Sequence, residues 1–386
     1  MRFKQTKINW ARLEVAWRHF TRSLRLDVTN DFLRPLVPES WRNAVRRPLG
    51  NADQKSPFAS GNPLKPVIFA SYATDESLKG SHRYCGGEKL LNNLVLMLRR
   101  RGYEAYMVSL DGNHADWLAE HAPFLSIKEF KIRKARAVDV RHVSSWVKAR
   151  PFLDECPRFY FWDQELSASS RSHFPDLAAL MAKQRIIRTA GVNRAVQAFH
   201  RCVFETDALT LRQLIDEAHW KPDPLRRIRH RVGYFDEGDH GAAYVRRITE
   251  LTKETGLALE FVQLAGVEKE IIAQMQQCGV FMALNIGKSH LWGEGGPMSP
   301  QEAMACGTVP VCFDINGPWE LIQQDYNGVI ARETTPDTMA QALVSIYSVP
   351  GRLEEMSRRT LEIFLSSHSM EARWPEVARF LDLPLK

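Results

Sequence analysis

The residues best suited to chemistry lie in one run, Glu294-Gly295-Gly296-Pro297-Met298-Ser299-Pro300-Gln301-Glu302, followed by Ala303-Met304-Ala305-Cys306-Gly307. A glycine-rich loop enters a short helix, and Gly307 ends that helix ahead of a buried strand. Ser299 is placed to act as N-cap, with Pro300 at the first helical position and Glu302 three residues after the Ser, the pattern of a capping box. On that reading Glu302 only satisfies the N-terminal amide of its own helix. The same geometry suits a second use. Backbone N–H groups at a helix N-terminus, with small residues allowing close approach, make a phosphate site. Glu294 and Glu302 would then bracket it and hold sugar hydroxyls. Local sequence leaves both readings open.

The elements that must position these groups alternate between strand and helix. Val67–Ser71 is a short apolar run and predicts a buried strand. Residues 88–101 predict a helix with Leu90, Leu91, Leu94, Val95, Met97 and Leu98 inward, closed by Gly102 in a left-handed cap, and 103–110 predict the next strand. Strand, helix, strand is a βαβ unit and implies a parallel sheet. Residues 159–162 and 201–204 read as further strands of it. A second alternating set has strands at 229–235, 259–264, 280–284, 309–313 and 328–331, with helices at 241–255, 267–277, 300–306, 317–323 and 335–347 between or after them. Residues 352–384 read as helical. Trp220-Lys221-Pro222-Asp223-Pro224 reads as the linker, so the expected domains are 1–64, 65–221 and 222–386. The stretch from Tyr72 to Tyr84 is longer than the usual βα connection of ~2–6 residues and points to a functional loop.

Composition narrows the class. The chain has 386 residues, 44% hydrophobic and 25% charged, ordinary values for a folded protein of two or three domains. Its net charge of +7 is local, because the first fifty residues hold eleven Lys/Arg against four acids. Within them Trp10, Leu13, Trp17, Phe20 and Leu24 form one helical stripe, and Arg12, Arg18, Arg22 and Arg25 fall elsewhere on the circumference. That amphipathic segment either packs on the protein body or lies on an anionic membrane surface, with nucleic acid as the alternative partner. The six cysteines show no C-x-x-C spacing, so neither a zinc site nor a disulfide framework is expected. No signal-peptide core or long apolar span is visible, which predicts a cytoplasmic protein, peripheral on the membrane if the basic segment binds there.

The run from Glu294 to Glu302 resembles the E-x7-E signature of the retaining glycosyltransferases of family 4, which have the GT-B fold. Asn316-Gly317-Pro318-Trp319-Glu320 is similar to that family's Gly-rich turn with its Glu, and Asp325-Tyr326-Asn327-Gly328 to its D-x-N-G turn. In the first half, Cys85-Gly86-Gly87-Glu88 resembles its G-G-x-E loop. Phe159-Tyr160-Phe161-Trp162-Asp163-Gln164-Glu165 resembles the strand end where relatives place a His or Asp near the acceptor. The resemblance implies an α/β chain of two Rossmann-like domains with parallel sheets facing a central cleft, preceded here by the basic amphipathic extension. It implies Glu294 and Asp163 as catalytic residues. Gly295, Gly296, Met298, Ser299 and Glu302 would bind a nucleoside diphosphate sugar, with Gly86 and Gly87 at the diphosphate and acceptor loop.

One stretch departs from the family pattern. In Gly233-Tyr234-Phe235-Asp236-Glu237-Gly238-Asp239-His240-Gly241, Tyr234 stands where relatives carry an Arg and His240 where they carry a Lys. Arg231 or Lys288 would then supply the missing cation. The implied reaction is transfer to a hydroxyl of a glycan or glycolipid in cell-surface polysaccharide synthesis, with the nucleotide sugar as co-substrate, no further cofactor and no metal. The alternatives are a non-catalytic sugar-nucleotide-binding protein, a sugar-nucleotide epimerase or a DNA-base glycosyltransferase.

Overall fold

The computed structural model describes residues 65–71, 86–147, 149–164, 174–235, 238–284, 297–315 and 317–385, of which 238–240 by their backbone alone. The expected amphipathic segment and the loop from Tyr72 to Tyr84 lie outside these residues, as do Lys288, Glu294, Gly295 and Gly296. The chain divides into two compact units. The first comprises Met1–His114, His121–Arg212 and Pro375–Lys386, and the second Ala115–Glu120 and Gln213–Trp374. The division therefore falls at Arg212/Gln213 rather than at 221/222, and the last residues of the chain pack with the first unit.

The first unit is built on a seven-stranded parallel sheet in the order β3-β2-β1-β4-β5-β6-β7. Its strands are β1 (Val67–Ser71), β2 (Glu104–Ser109), β3 (Phe124–Ser126), β4 (Val140–Ser144), β5 (Phe159–Asp163), β6 (Ile186–Gly191) and β7 (Leu209–Thr210). The helices are α1 (Gly86–Arg100), α2 (Ile127–Arg136), α3 (Arg150–Leu153), α4 (Phe174–Ala182) and α5 (Arg194–Phe204). The predicted strand at 201–204 is the end of α5. Its β-rich letters are outweighed by a helical pattern that starts further back: Asn193 caps the helix on Val196 N–H, and Ala195, Val196, Phe199, His200, Val203 and Phe204 are its buried side. Gly102 has φ +74° and ends α1 as predicted. The final segment is pinned to this unit by Arg141 on the Leu381 carbonyl, Arg188 on Asp382 (2.6 Å) and Tyr160 Oη on Asp382 (3.0 Å).

The second unit holds a five-stranded parallel sheet in the order β12-β11-β10-β8-β9. Its strands are β8 (Ile228–Tyr234), β9 (Glu260–Gln263), β10 (Cys278–Ala283), β11 (Val309–Phe313) and β12 (Val329–Ala331). The helices are α6 (Gly238–Glu254), α7 (Glu268–Gln276), α8 (Met298–Ala305), α9 (Pro336–Tyr347) and α10 (Arg352–Ser367), followed by α11 (Met370–Phe380), whose residues from Pro375 belong to the first unit. The predicted helix at 317–323 is a single 3-10 turn, Gly317–Glu320. One core, including Val232, Val280, Val309 and Phe313, takes in α6 and α9 residues such as Ile248 and Leu343. The other, including Phe281, Met304 and Cys312, takes in α7 and α8. Both faces of the sheet are thus covered, and its central strand β10 and neighbouring β11 are buried along their whole length.

Candidate functional site

In the second unit the direction of winding reverses between β8 and β10, with β9 on one side and β11 and β12 on the other. Ligands of open parallel sheets bind outside the carboxyl ends of the strands at such a reversal. The connection after β8 leads into the N-terminus of α6, and the connection after β10 leads into the N-terminus of α8. The two segments singled out in the sequence, 233–241 and 294–302, are these two connections.

Helix α8 does not begin as a capping box. Its N-cap is Pro297, with φ −62° and ψ 124°, and no side chain caps it; Ser299 is its second residue and Pro300 its third. Prolines at the cap and third position remove two of the four N–H groups that a helix start leaves open. The donors that remain are the N–H groups of Met298 and Ser299, at the positive end of the helix dipole. The capping explanation for Glu302 therefore fails. Glu302 lies on the fifth position and is buried, as are Gln301 and Ala303–Ala305. Sequence reading missed Gln301, whose Oε1 is buried without a hydrogen-bond partner among the described residues while its Nε2 donates weakly to the Pro297 carbonyl at 3.5 Å.

The far end of α8 is anchored. Gly307 adopts φ +68°, and Arg227 donates to the carbonyls of Cys306 (2.5 Å) and Gly307 (2.9 Å) and to Ser357 Oγ (2.5 Å). A cation on the C-terminal carbonyls complements the dipole. Burial pulls the Arg227 guanidinium below its ordinary pKa. The D-x-N-G turn also has a structural account. Asn327 is fully buried, accepts from Gln323 N–H (2.7 Å) and donates to the Leu321 carbonyl (3.0 Å). A Cβ on Gly328 would meet the Pro310 carbonyl at 2.6 Å, so only glycine lets the turn approach β11.

Arg231 sits mid-strand, not at the carboxyl end of β8. Its guanidinium pairs with both oxygens of Glu260 at 2.9 Å and donates to Gln277 Oε1 at 2.5 Å. It is thereby engaged away from the carboxyl ends of the strands. Tyr234 ends β8 and packs against the core. His240 lies in the first turn of α6.

In the first unit the reversal falls between β1 and β4. Helix α1 begins with Gly86, exposed, and Gly87, buried. Glu88 follows in its first turn; burial raises its pKa and nearby His114 opposes the rise. Asp163 ends β5. It is fully buried, and its Oδ2 lies 2.8 Å from Nε2 of His200, itself fully buried on α5 beside the rings of Phe161, Phe199 and Phe204. His200 carries no sequence signal, because a lone His within an apolar helical stripe reads as packing. His200 Nδ1 and both amide atoms of Gln164 are buried without hydrogen-bond partners among the described residues. Among the described residues, Glu120, Asp216 and His219 gather their side-chain ligand atoms within 4.8 Å. His219 turns Nδ1 to Asp216 (3.0 Å) and Nε2 to Glu120 (3.7 Å). Its contact with Asp216 is a hydrogen bond, and that with Glu120 is a looser approach.

Solved structures share this architecture. Sucrose-phosphate synthase from Thermosynechococcus elongatus is 13% identical, covering 81% of this chain and 98% of its own, with a TM-score of 0.59. HepE from Anabaena, solved with UDP-glucose, is 15% identical over 82% and 99% of the two chains, with a TM-score of 0.60. The catalytic domain of starch synthase IV from Arabidopsis thaliana, bound to ADP and acarbose, is 10% identical over 83% and 100%, with a TM-score of 0.57. No curated protein matches the chain. Two parallel-sheet α/β domains of this kind are the GT-B fold, and residues 238–362, from the start of α6 into α10, match the family described as glycosyl transferases group 1.

Proposed function

We propose that the protein is a retaining glycosyltransferase that moves a sugar from a nucleoside diphosphate sugar to an acceptor hydroxyl, in the synthesis of a cell-surface polysaccharide or glycolipid. The observation that carries this reading is the start of α8. Two backbone N–H groups, Met298 and Ser299, open at the sheet reversal inside the segment that matches glycosyl transferases group 1. In the proposed arrangement these amides and the Gly295-Gly296 loop hold the diphosphate, Glu302 binds ribose hydroxyls and Glu294 contacts the transferred sugar. His240 and Lys288 are the remaining candidates for the cation that relatives supply as Arg and Lys. Asp163, held by His200, and Gly86-Gly87 belong to the acceptor side.

The chemistry is a front-face displacement. The bond from the anomeric carbon to the diphosphate oxygen breaks, and the acceptor oxygen bonds to the same face. The acceptor proton passes to the departing phosphate oxygen. Charge develops on the leaving diphosphate, so amides fixed at its position lower the barrier without reorganising. Positioning supplies the rest. No metal enters this proposal.

The departure at Tyr234, together with the engagement of Arg231 by Glu260, favours one second reading: a sugar-nucleotide-binding protein without turnover. The UDP-glucose bound by HepE and the ADP bound by starch synthase IV suggest where to begin. Uridine and adenosine diphosphate sugars should raise the melting temperature, by the equivalent of ~2.7 kcal/mol at a hundredfold excess over Kd. Slow donor hydrolysis alongside that shift supports transfer, and a shift with no hydrolysis supports the second reading. If no nucleoside diphosphate or its sugar shifts the melt at millimolar concentration, the donor site is misassigned.

A further inference from the structure

The carboxyl ends of two neighbouring strands in the first unit each carry a buried polar side chain with no hydrogen-bond partner among the described residues. Ser145 follows β4 and is 3% exposed, and Gln164 follows β5 and is 8% exposed. Ser145 Oγ, Gln164 Oε1 and Gln164 Nε2 are all unpaired. Among the described residues Gln164 is the one side-chain amide that leaves both its atoms so. Strands β4 and β5 run parallel, with Val143 opposite Tyr160 and Ser144 opposite Phe161. Both residues therefore leave the sheet at its carboxyl edge, beside the reversal between β1 and β4. Ligands of open parallel sheets bind outside that edge.

These groups have given up hydration for nothing in return, so Ala at 145 and Leu at 164 would fold at least as well. Their chain neighbours are engaged. Ser144 Oγ donates to the Trp146 carbonyl at 3.1 Å and accepts from Trp146 N–H at 3.2 Å. The Asp163 carbonyl accepts from Val192 N–H at 3.0 Å, and its carboxylate meets His200 Nε2 at 2.8 Å. The two strand ends are thus fixed, while turning the Ser145 hydroxyl or the Gln164 amide toward a ligand breaks no hydrogen bond. Unheld polar groups on a rigid support are the arrangement of a recognition site.

We propose that Ser145 and Gln164 bind the acceptor, and that what they recognise is a sugar ring with adjacent free hydroxyls. An amide presents a donor and an acceptor atom, and a hydroxyl is both at once. Neighbouring ring hydroxyls, each able to donate and accept, answer all three unpaired atoms. A phosphate offers acceptors only and would leave Gln164 Oε1 unpaired. The inference rests on the acceptor-side reading of the β5 end given above, and it narrows the acceptor to a glycan. An amide also pairs with the edge of an adenine base, so duplex DNA forms one arm of the test.

The test measures binding of the methyl glycosides of glucose, galactose and mannose to the full chain by saturation-transfer NMR, and of duplex DNA by gel shift. Wild type should bind at least one glycoside. Gln164→Leu, losing two hydrogen bonds, should weaken that binding roughly 5- to 140-fold, and Ser145→Ala, losing one, roughly 2- to 12-fold. Both variants should melt at or above the wild-type temperature, which a structural role for either side chain would not allow. The melting shift with UDP-glucose is read separately: its absence in wild type counts against the donor site, whereas glycoside binding reports on this pair. The proposal is overturned if wild type binds none of the glycosides, if both variants bind them as wild type does, or if the variants melt well below it. It is also overturned if Gln164→Leu loses a DNA gel shift while glycoside binding is unchanged.

Discussion

Glu302 is a buried carboxylate on the fifth position of α8. The order Ser-Pro-Gln-Glu fits a capping box, yet the helix begins with Pro297 as its cap, and Glu302 is carried a turn into a buried position. Sequence could not foresee this, because a capping box depends on which residue takes extended φ/ψ, and Pro297 competes with Ser299 for that role. A buried carboxylate costs desolvation that its amide does not. Glu302→Gln should therefore leave the urea midpoint of unfolding unchanged or slightly higher. If the carboxylate holds ribose hydroxyls, the amide loses one charged hydrogen bond, ~1.5–3 kcal/mol or roughly 10- to 150-fold in donor affinity. Equal donor affinity in the two proteins would remove Glu302 from the donor site. Asp163 was legible as a strand-end acid; its partner His200 was not, because the contact joins residues 37 apart through the fold.

At the scale of elements, legibility followed burial. β1 and β11 match their predicted bounds because each is a short apolar run set off by polar or glycine residues. β4 went unread because Arg141 and His142 interrupt Val140–Ser144, although both are buried. Only tertiary partners, such as the Leu381 carbonyl for Arg141, make those letters compatible with a central strand. Helix α8 depends on tertiary support in the same way. It is eight residues long, too short to be stable by propensity, and Arg227 holds its carboxyl end from the entry to β8. Arg227→Met would leave the Cys306 and Gly307 carbonyls without their charged donor. Ser357 Oγ still donates to Gly307, so the loss should be partial, about 2–3 kcal/mol in urea unfolding. Because the Met298 and Ser299 amides move with the helix, donor affinity should fall as well. An unchanged affinity in a destabilised protein would show that the helix start is held from its other end.

The molecule as a whole is less simply divided than its sequence. Two alternating α/β sets were visible, because periodicity and glycine caps are local, but the return of the chain to the first unit was not. Nothing in the letters of Pro375–Lys386 says which sheet they join; that is fixed by Arg188, Tyr160 and Arg212, which meet Asp382 and Glu376 from the first unit. Val377, Phe380 and Leu381 are fully buried there, with Phe380 edge-on to Tyr160 at 5.6 Å. Burying three such side chains contributes ~5–9 kcal/mol, an upper estimate, against a typical domain stability of ~5–15 kcal/mol. A chain ending at Trp374 should therefore lose the cooperative melting of its first unit rather than merely shift it. It would also take the Leu381 carbonyl from Arg141 and the Asp382 carboxylate from Tyr160, both buried. Limited proteolysis read by mass spectrometry should find cuts between 65 and 212 while a fragment near 213–374 survives, and nucleotide should still protect that fragment. If the truncated chain melts at the full-length temperature and resists cleavage throughout, the terminal segment is an ornament of the first unit, and its buried aromatic and ion-pair contacts carry far less stability than their burial implies.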